Sequence, residues 1–241
     1  MQIQVFKDEN IIGKVAGNMI VAQVTAKADS VLGLATGSSP LTTYAHLIEC
    51  KNAGLVDFSG IKTFNLDEYV GLSADHPCSY DYFMRQNLFD AIGLKKEQSL
   101  IPSGVASDFD AECNNYETAI ENAGGIDLQI LGIGHNGHIA FNEPNTCFSS
   151  KTNVVDLTES TILANQRFFD SADDVPKKAI TTGIGTIFRA KNIVLIATGS
   201  GKADAVRAMI NGPITPECPA SILQLHPSVT VLVDEAAAAR L

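Results

Sequence analysis

The stretch Val31-Leu32-Gly33-Leu34-Ala35-Thr36-Gly37-Ser38-Ser39-Pro40 decides the fold. Its first half, Val31 to Ala35, carries no polar residue. A strand that is apolar at every position, rather than at alternate ones, suits a parallel sheet covered on both faces. The run stops at a Gly/Ser turn, and a helical pattern follows over Leu41 to Ala53. Ile193 to Ala197 repeats the arrangement and runs into Ala197-Thr198-Gly199-Ser200, with a helical pattern over Lys202 to Ile210. Leu128 to Ile133 also ends in glycine, as Leu131-Gly132-Ile133-Gly134. Val229 to Val233 reads as a further strand, and so do Phe64 and its neighbours. Further helical patterns span Tyr80 to Ala91, Phe109 to Ala123 and Thr161 to Phe169. Near the N-terminus, Asp8 is placed to cap a helix whose apolar face is Ile11, Ile12, Val15, Ala16, Met19 and Ile20. Strands alternating with helices predict βαβ units in an α/β fold, a doubly wound, mostly parallel sheet with helices on both faces. No Pro/Ser-rich linker or charge run divides the chain, so one domain over residues 1–241 is expected. In such a sheet the three glycine turns share the C-terminal edge, where ligands bind.

The chain has 241 residues, with 17 Lys plus Arg against 27 Asp plus Glu, a formal net charge of −10. That balance disfavours nucleic acid, which needs a basic surface. It does not exclude a small anion, because a binding site is local. The five cysteines, Cys50, Cys78, Cys113, Cys147 and Cys218, are 28, 35, 34 and 71 residues apart, so no zinc framework is present. An odd, scattered set reads as free thiols in a reducing compartment. Met1-Gln2-Ile3-Gln4-Val5 lacks the features of a secretory leader, and no apolar stretch is long enough to span a membrane. A cytoplasmic protein is expected.

Four segments carry chemistry. The Gly37-Ser38-Ser39 turn offers backbone N–H groups, hydroxyls and the start of a helix to an anion. An ordinary strand-to-helix turn has the same look, and G-x-G-x-x-G is not matched. Gly199-Ser200-Gly201-Lys202 is not a P-loop: Ile196 takes the place of the first glycine, and Ala203 that of the Ser/Thr that would hold magnesium. Lys202 can still meet a phosphate as a point charge, or be merely solvated. Asn65-Leu66-Asp67-Glu68-Tyr69 follows a strand; its two acids include a candidate base, although neighbouring acids are also common on surface loops. Gly132 to Pro144 packs His135, Asn136, His138, Asn142 and Glu143 into one loop. A histidine with a carboxylate partner can exchange protons with a substrate. A metal held by His135, His138 and Glu143 would match no standard zinc spacing. Arg167 suits a phosphate if it faces the same cleft; otherwise it snorkels at the surface.

Six segments together resemble the glucosamine-6-phosphate deaminase (isomerase) family. They are Leu32 to Pro40, Phe64-Asn65-Leu66-Asp67-Glu68-Tyr69-Val70-Gly71-Leu72, Gly137-His138-Ile139-Ala140-Phe141-Asn142-Glu143-Pro144, Arg167-Phe168-Phe169-Asp170, Gly183-Ile184-Gly185-Thr186 and Leu223-Gln224-Leu225-His226-Pro227. They stand in the family's order. The resemblance implies a Rossmann-like sheet and conversion of glucosamine 6-phosphate and water into fructose 6-phosphate and ammonia, with no metal and no organic cofactor. It implies Asp67 as the enolisation base, His138 as the ring-opening histidine and Glu143 as its partner. Asn136 stands where some members carry an aspartate, so it can hold His138 only through a hydrogen bond. Gly37, Ser38, Ser39, Arg167 and Lys202 match the phosphate positions. Sugar-phosphate lactonases and isomerases share the fold, as do the sugar-phosphate sensors of some regulators. The sensors would bring a fused helix-turn-helix and a basic face. Allosterically controlled members carry basic residues where Asn153 and Val155 stand here, and a longer segment beyond the position of Leu241. The resemblance therefore implies no activation by N-acetylglucosamine 6-phosphate, and a monomer or small homo-oligomer.

Overall fold

The computed structural model describes residues 1–145, 147–166, 169, 171 and 174–241. Seven parallel strands form the main sheet: β1 (Gln2–Phe6), β2 (Val31–Leu34), β3 (Lys62–Asn65), β5 (Ser99–Leu100), β6 (Leu128–Leu131), β9 (Asn192–Ala197) and β10 (Val229–Asp234). Their spatial order is β1-β10-β9-β6-β2-β3-β5. From β2 the chain winds outward to β3 and β5, then returns beside β2 as β6 and winds the other way to β9 and β10. The winding direction reverses between β2 and β6, so the loops after these strands flank the crevice where this architecture binds ligands. Crossovers between parallel strands are right-handed, so the reversal puts helices on both faces. On one face lie α1 (Glu9–Ala26) and α2 (Leu41–Asn52), packed together; on the other lie α5 (Phe109–Asn122) and α8 (Ala203–Asn211). The four central runs are buried nearly throughout, as their unbroken apolar sequence requires. Asp8 caps α1 as expected, its carboxylate accepting from the N–H groups of Asn10 and Ile11.

Three helical expectations change in extent. The Tyr80 to Ala91 pattern is α3 (Tyr80–Met84) and α4 (Asp90–Ile92) joined by a π-helical turn, Arg85–Phe89. Lys202 ends a 3-10 turn, Ser200–Lys202, and α8 begins only at Ala203. The Thr161 to Phe169 pattern is α6 (Glu159–Asn165), which starts two residues earlier because Thr158 caps it by accepting from the Thr161 N–H.

A second sheet is not foreshadowed by the apolar runs. It is antiparallel, with order β4-β8-β7, where β4 is Asp67–Tyr69, β7 is Asn153–Asp156 and β8 is Lys178–Thr181. The Asp67-Glu68-Tyr69 segment is therefore a buried strand rather than a surface loop: Asp67 is 7% and Glu68 2% exposed. At the opposite, N-terminal edge of the main sheet, Asp127 binds the ammonium groups of Lys27 (2.5 Å) and Lys191 (2.7 Å) and the N–H of Val31 (2.8 Å). These ion pairs tie strand starts together and lie away from the C-terminal edge, where the candidate site is built.

Candidate active site

A cavity of about 860 Å³ opens at the C-terminal edge, against the turn after β2 and the loop after β6. That volume suits a small ligand. Thr36, Gly37, Ser38 and Ser39 line one side, and Lys202 reaches the same cavity from the turn after β9. Gly37 stands at φ +86, a conformation that a side chain would strain. Lys202 lies close enough to His135 that its charge, with burial and His138 adding to it, lowers the basicity of that imidazole. Hydroxyls, the turn that leads into α2 and an ammonium thus line the same cavity, in a chain whose net charge is −10. Arg167, the remaining expected phosphate ligand, lies outside the described residues.

Asp67 enters from β4. Burial pushes its carboxyl up to about 8, and the neighbouring charge of Glu68 adds to the rise. Burial also raises Glu68, to about 7, against an opposing set of hydrogen bonds. Its Oε1 accepts from the N–H groups of Tyr69 (2.8 Å) and Tyr80 (2.9 Å), and its Oε2 from that of Asp81 (3.0 Å). Glu68 therefore anchors the start of α3, and those donors favour its ionised form. Among the described residues no hydrogen bond reaches the Asp67 carboxylate, which faces the cavity. The wall beside it is aromatic. Tyr69 packs on Tyr80 (centroids 4.8 Å apart), Phe141 and Phe169 (5.7 Å each), and Tyr80 stacks on Phe141.

His138 and Glu143 meet across one turn, His138 Nδ1 lying 3.2 Å from Glu143 Oε2. Burial opposes ionisation of Glu143. The hydrogen bond and charge of His138, with bonds from Thr161 and Asn136, outweigh burial and hold the carboxyl at about 2. An ionised carboxylate only accepts, so Nδ1 is the donor and Nε2 of the neutral ring keeps its lone pair. His138 and Asn136 line the cavity, while Glu143 stands behind the imidazole. Asn136 bonds His138 at its backbone and not at the ring. Its amide donates to Glu143 Oε2 (2.7 Å), and its carbonyl accepts from the backbone N–H of His138 (3.2 Å). The second sheet fixes this loop. Thr181 of β8, paired with Asp67, accepts the Phe141 N–H through its hydroxyl, and the Thr182 carbonyl accepts from the Asn142 amide. One short strand thus positions both acid-base segments. Ala140, between His138 and Glu143, stands at φ +52, a region that residues other than glycine rarely occupy.

Residue-type reasoning passed over three contributors: Gly134, Tyr80 and Thr161. Gly134 packs so close to the imidazole that a Cβ there would lie 2.4 Å from Nε2 and Cε1 of His138. Tyr80 packs its ring on Tyr69 and Phe141 in the wall beside Asp67. The hydroxyl of Thr161 donates to Glu143 Oε1. Tyr80 and Thr161 act across different elements, and the closeness of Gly134 to the ring shows only in the folded loop.

The model for glucosamine-6-phosphate isomerases/6-phosphogluconolactonase matches residues 10–232. The chain is 56% identical over 227 residues to a glucosamine-6-phosphate deaminase of Thermoanaerobacter pseudethanolicus, covering 94% of this chain and 90% of that protein. It is 54% identical to that of Clostridioides difficile over 241 residues, covering 100% and 97%. Among solved structures, a monomeric glucosamine-6-phosphate deaminase superposes with a TM-score of 0.97 at 45% identity, each chain covered completely. With six ordered motifs, this sheet order and these matches, the chain belongs to the glucosamine-6-phosphate isomerase/6-phosphogluconolactonase family, on the side of its deaminases.

Proposed function

We propose that this protein converts glucosamine 6-phosphate and water into fructose 6-phosphate and ammonia. The observation that carries this reading is that Asp67, the His138–Glu143 pair and an anion-binding turn meet at one cavity. The substrate phosphate sits against Gly37, Ser38, Ser39 and Lys202, and the resemblance adds Arg167 to its ligands. His138 moves a proton between the anomeric hydroxyl and the ring oxygen through Nε2, and the ring opens. Glu143 stabilises the imidazolium that forms transiently, and Asn136 steadies Glu143. Asp67 then removes the proton from carbon 2, next to the new carbonyl, giving an enol-type intermediate. Reprotonation at carbon 1 leaves an iminium at carbon 2. Water adds there and ammonia departs. Each positioned acid or base contributes about 10²–10⁴-fold. The aromatic wall keeps water from Asp67, which strengthens a base whose free carboxylate would be weak.

The protein acts as a monomer or small homo-oligomer without a regulatory site, the latter in line with Asn153 and Val155 at the positions of the basic effector ligands. Purified protein given glucosamine 6-phosphate should release ammonia and fructose 6-phosphate in equal amounts, on hyperbolic kinetics that N-acetylglucosamine 6-phosphate does not activate. No ammonia would sink the functional reading; sigmoidal kinetics relieved by that effector would sink the unregulated one.

Gly134→Ala tests the place of the imidazole. The new methyl group displaces the His138 ring, while the backbone at residue 134 needs no glycine conformation. The expected result is a kcat lower by about 10–100-fold, as misplacement of a reacting group costs, with Tm within about 3 °C of wild type. A variant with wild-type kcat would show that the ring has no fixed role.

A further inference from the structure

Glu143 is gripped at both oxygens, and the two grips come from different parts of the chain. Oε2 accepts from His138 and Asn136, both in the loop after β6. Oε1 accepts from the hydroxyl of Thr161, in the first turn of α6, and more distantly from Thr158, the residue that caps α6. Thr161 is 6% exposed and lines the cavity, as does Asn165 at the far end of the same helix. The Thr158 hydroxyl accepts the Thr161 N–H (3.3 Å) and lies 3.1 Å from the Thr161 hydroxyl. The helix cap is thus already made by Thr158, and the Thr161 hydroxyl is spent on Glu143.

A carboxylate held at one oxygen turns easily about its last bond, because that torsion is broad. Asn136 and His138 hold only Oε2, and both belong to the loop that carries Glu143. Thr161 holds Oε1, from another element. We infer that Thr161 is a positioning residue for ring opening: its hydroxyl sets the plane of the Glu143 carboxylate, and so the orientation of His138. This rests on the roles given to His138 and Glu143 above.

Thr161→Val keeps the shape and removes the hydroxyl, and Thr161→Ser restores it. The expected result is a kcat lower by about tenfold for Thr161→Val, the worth of one hydrogen bond to a charged group, and near wild type for Thr161→Ser. Affinity for the open-chain alditol phosphate of the amino sugar, which needs no ring opening, should stay within about twofold for both variants. The nitrogen NMR signals of the His138 ring, read without ligand, should change in Thr161→Val and not in Thr161→Ser. A Thr161→Val protein with wild-type kcat and ring signals would overturn the inference. So would alditol affinity falling in step with kcat, which marks a merely structural role for α6. The ring signals need no turnover. A wild type that releases no ammonia would therefore strike the functional reading, while unchanged ring signals would strike Thr161.

Discussion

Replacing Asp67 by Asn is expected to lower ammonia release by about 10²–10⁴-fold, the share of a positioned base, and at the same time to stabilise the protein at alkaline pH. The two effects have one cause. The Asp67 carboxyl sits at about 8 because it is buried beside Glu68, against an ordinary value near 3.8. Its folded-state value lies above its unfolded one. The protonated form therefore favours folding: its contribution is complete below about pH 4 and is lost as pH rises to about 8. Over that window stability falls with rising pH on account of this group. Asn carries no such dependence. The Tm of Asp67→Asn should therefore exceed that of the wild type by a margin that widens between pH 5 and pH 8, by about 2–4 °C for each kcal/mol. Parallel Tm curves would contradict the burial account. Activity runs the other way, because only the carboxylate accepts a proton. In the wild type kcat/KM should climb with pH along a limb set by the Asp67–Glu68 pair, near 7 to 8 instead of near 4. A limb near 4 would place the base elsewhere.

The same residue marks how far the sequence could be read. Strands such as Val31–Leu34 and Asn192–Ala197 announce themselves because a doubly covered parallel strand must be apolar at every position. The glycine turns that end them place the cavity at the sheet's C-terminal edge before any coordinate is known. Asp67–Tyr69 gives the opposite signal, since two acids and a tyrosine read as a surface loop. Glu68 is buried because it finds three backbone N–H partners from two segments, Tyr69 and the start of α3. Burial of a carboxylate is tolerated when its lone pairs are filled, and those donors become visible only in three dimensions. Asn136 is a second case. Residue type allowed a hydrogen bond to His138, and the side-chain carbonyl makes one to its backbone N–H; the second bond, from the amide to Glu143, is visible only in the folded loop.

Glu143→Gln should lower kcat by about 10²-fold or more, and Asn136→Ala by no more than about tenfold. Glutamine can keep its oxygen toward His138 and Asn136, and its amide can donate to the Thr161 hydroxyl, which then turns to accept. The geometry survives and only the charge is lost, so the variant isolates electrostatic support of the imidazolium. Alanine at 136 leaves the charge in place and removes one donor to it, together with the bond to the His138 N–H. Comparable losses in kcat would refute this division. The pH behaviour separates Glu143 from Asp67 as well. Glu143 is held at about 2, below its ordinary value, so it contributes stability above about pH 4.5 that is lost as pH falls toward 2. Glu143→Gln should therefore lower Tm at neutral pH, with the gap to wild type closing on the acid side, the reverse of Asp67→Asn. Because Glu143 is ionised throughout the range in which the enzyme can be assayed, its loss should depress the whole kcat/KM profile and leave the limb near 7 to 8 where it was. A limb that moves in Glu143→Gln would mean that the two carboxylates titrate together, and that ring opening and proton abstraction do not draw on separate groups.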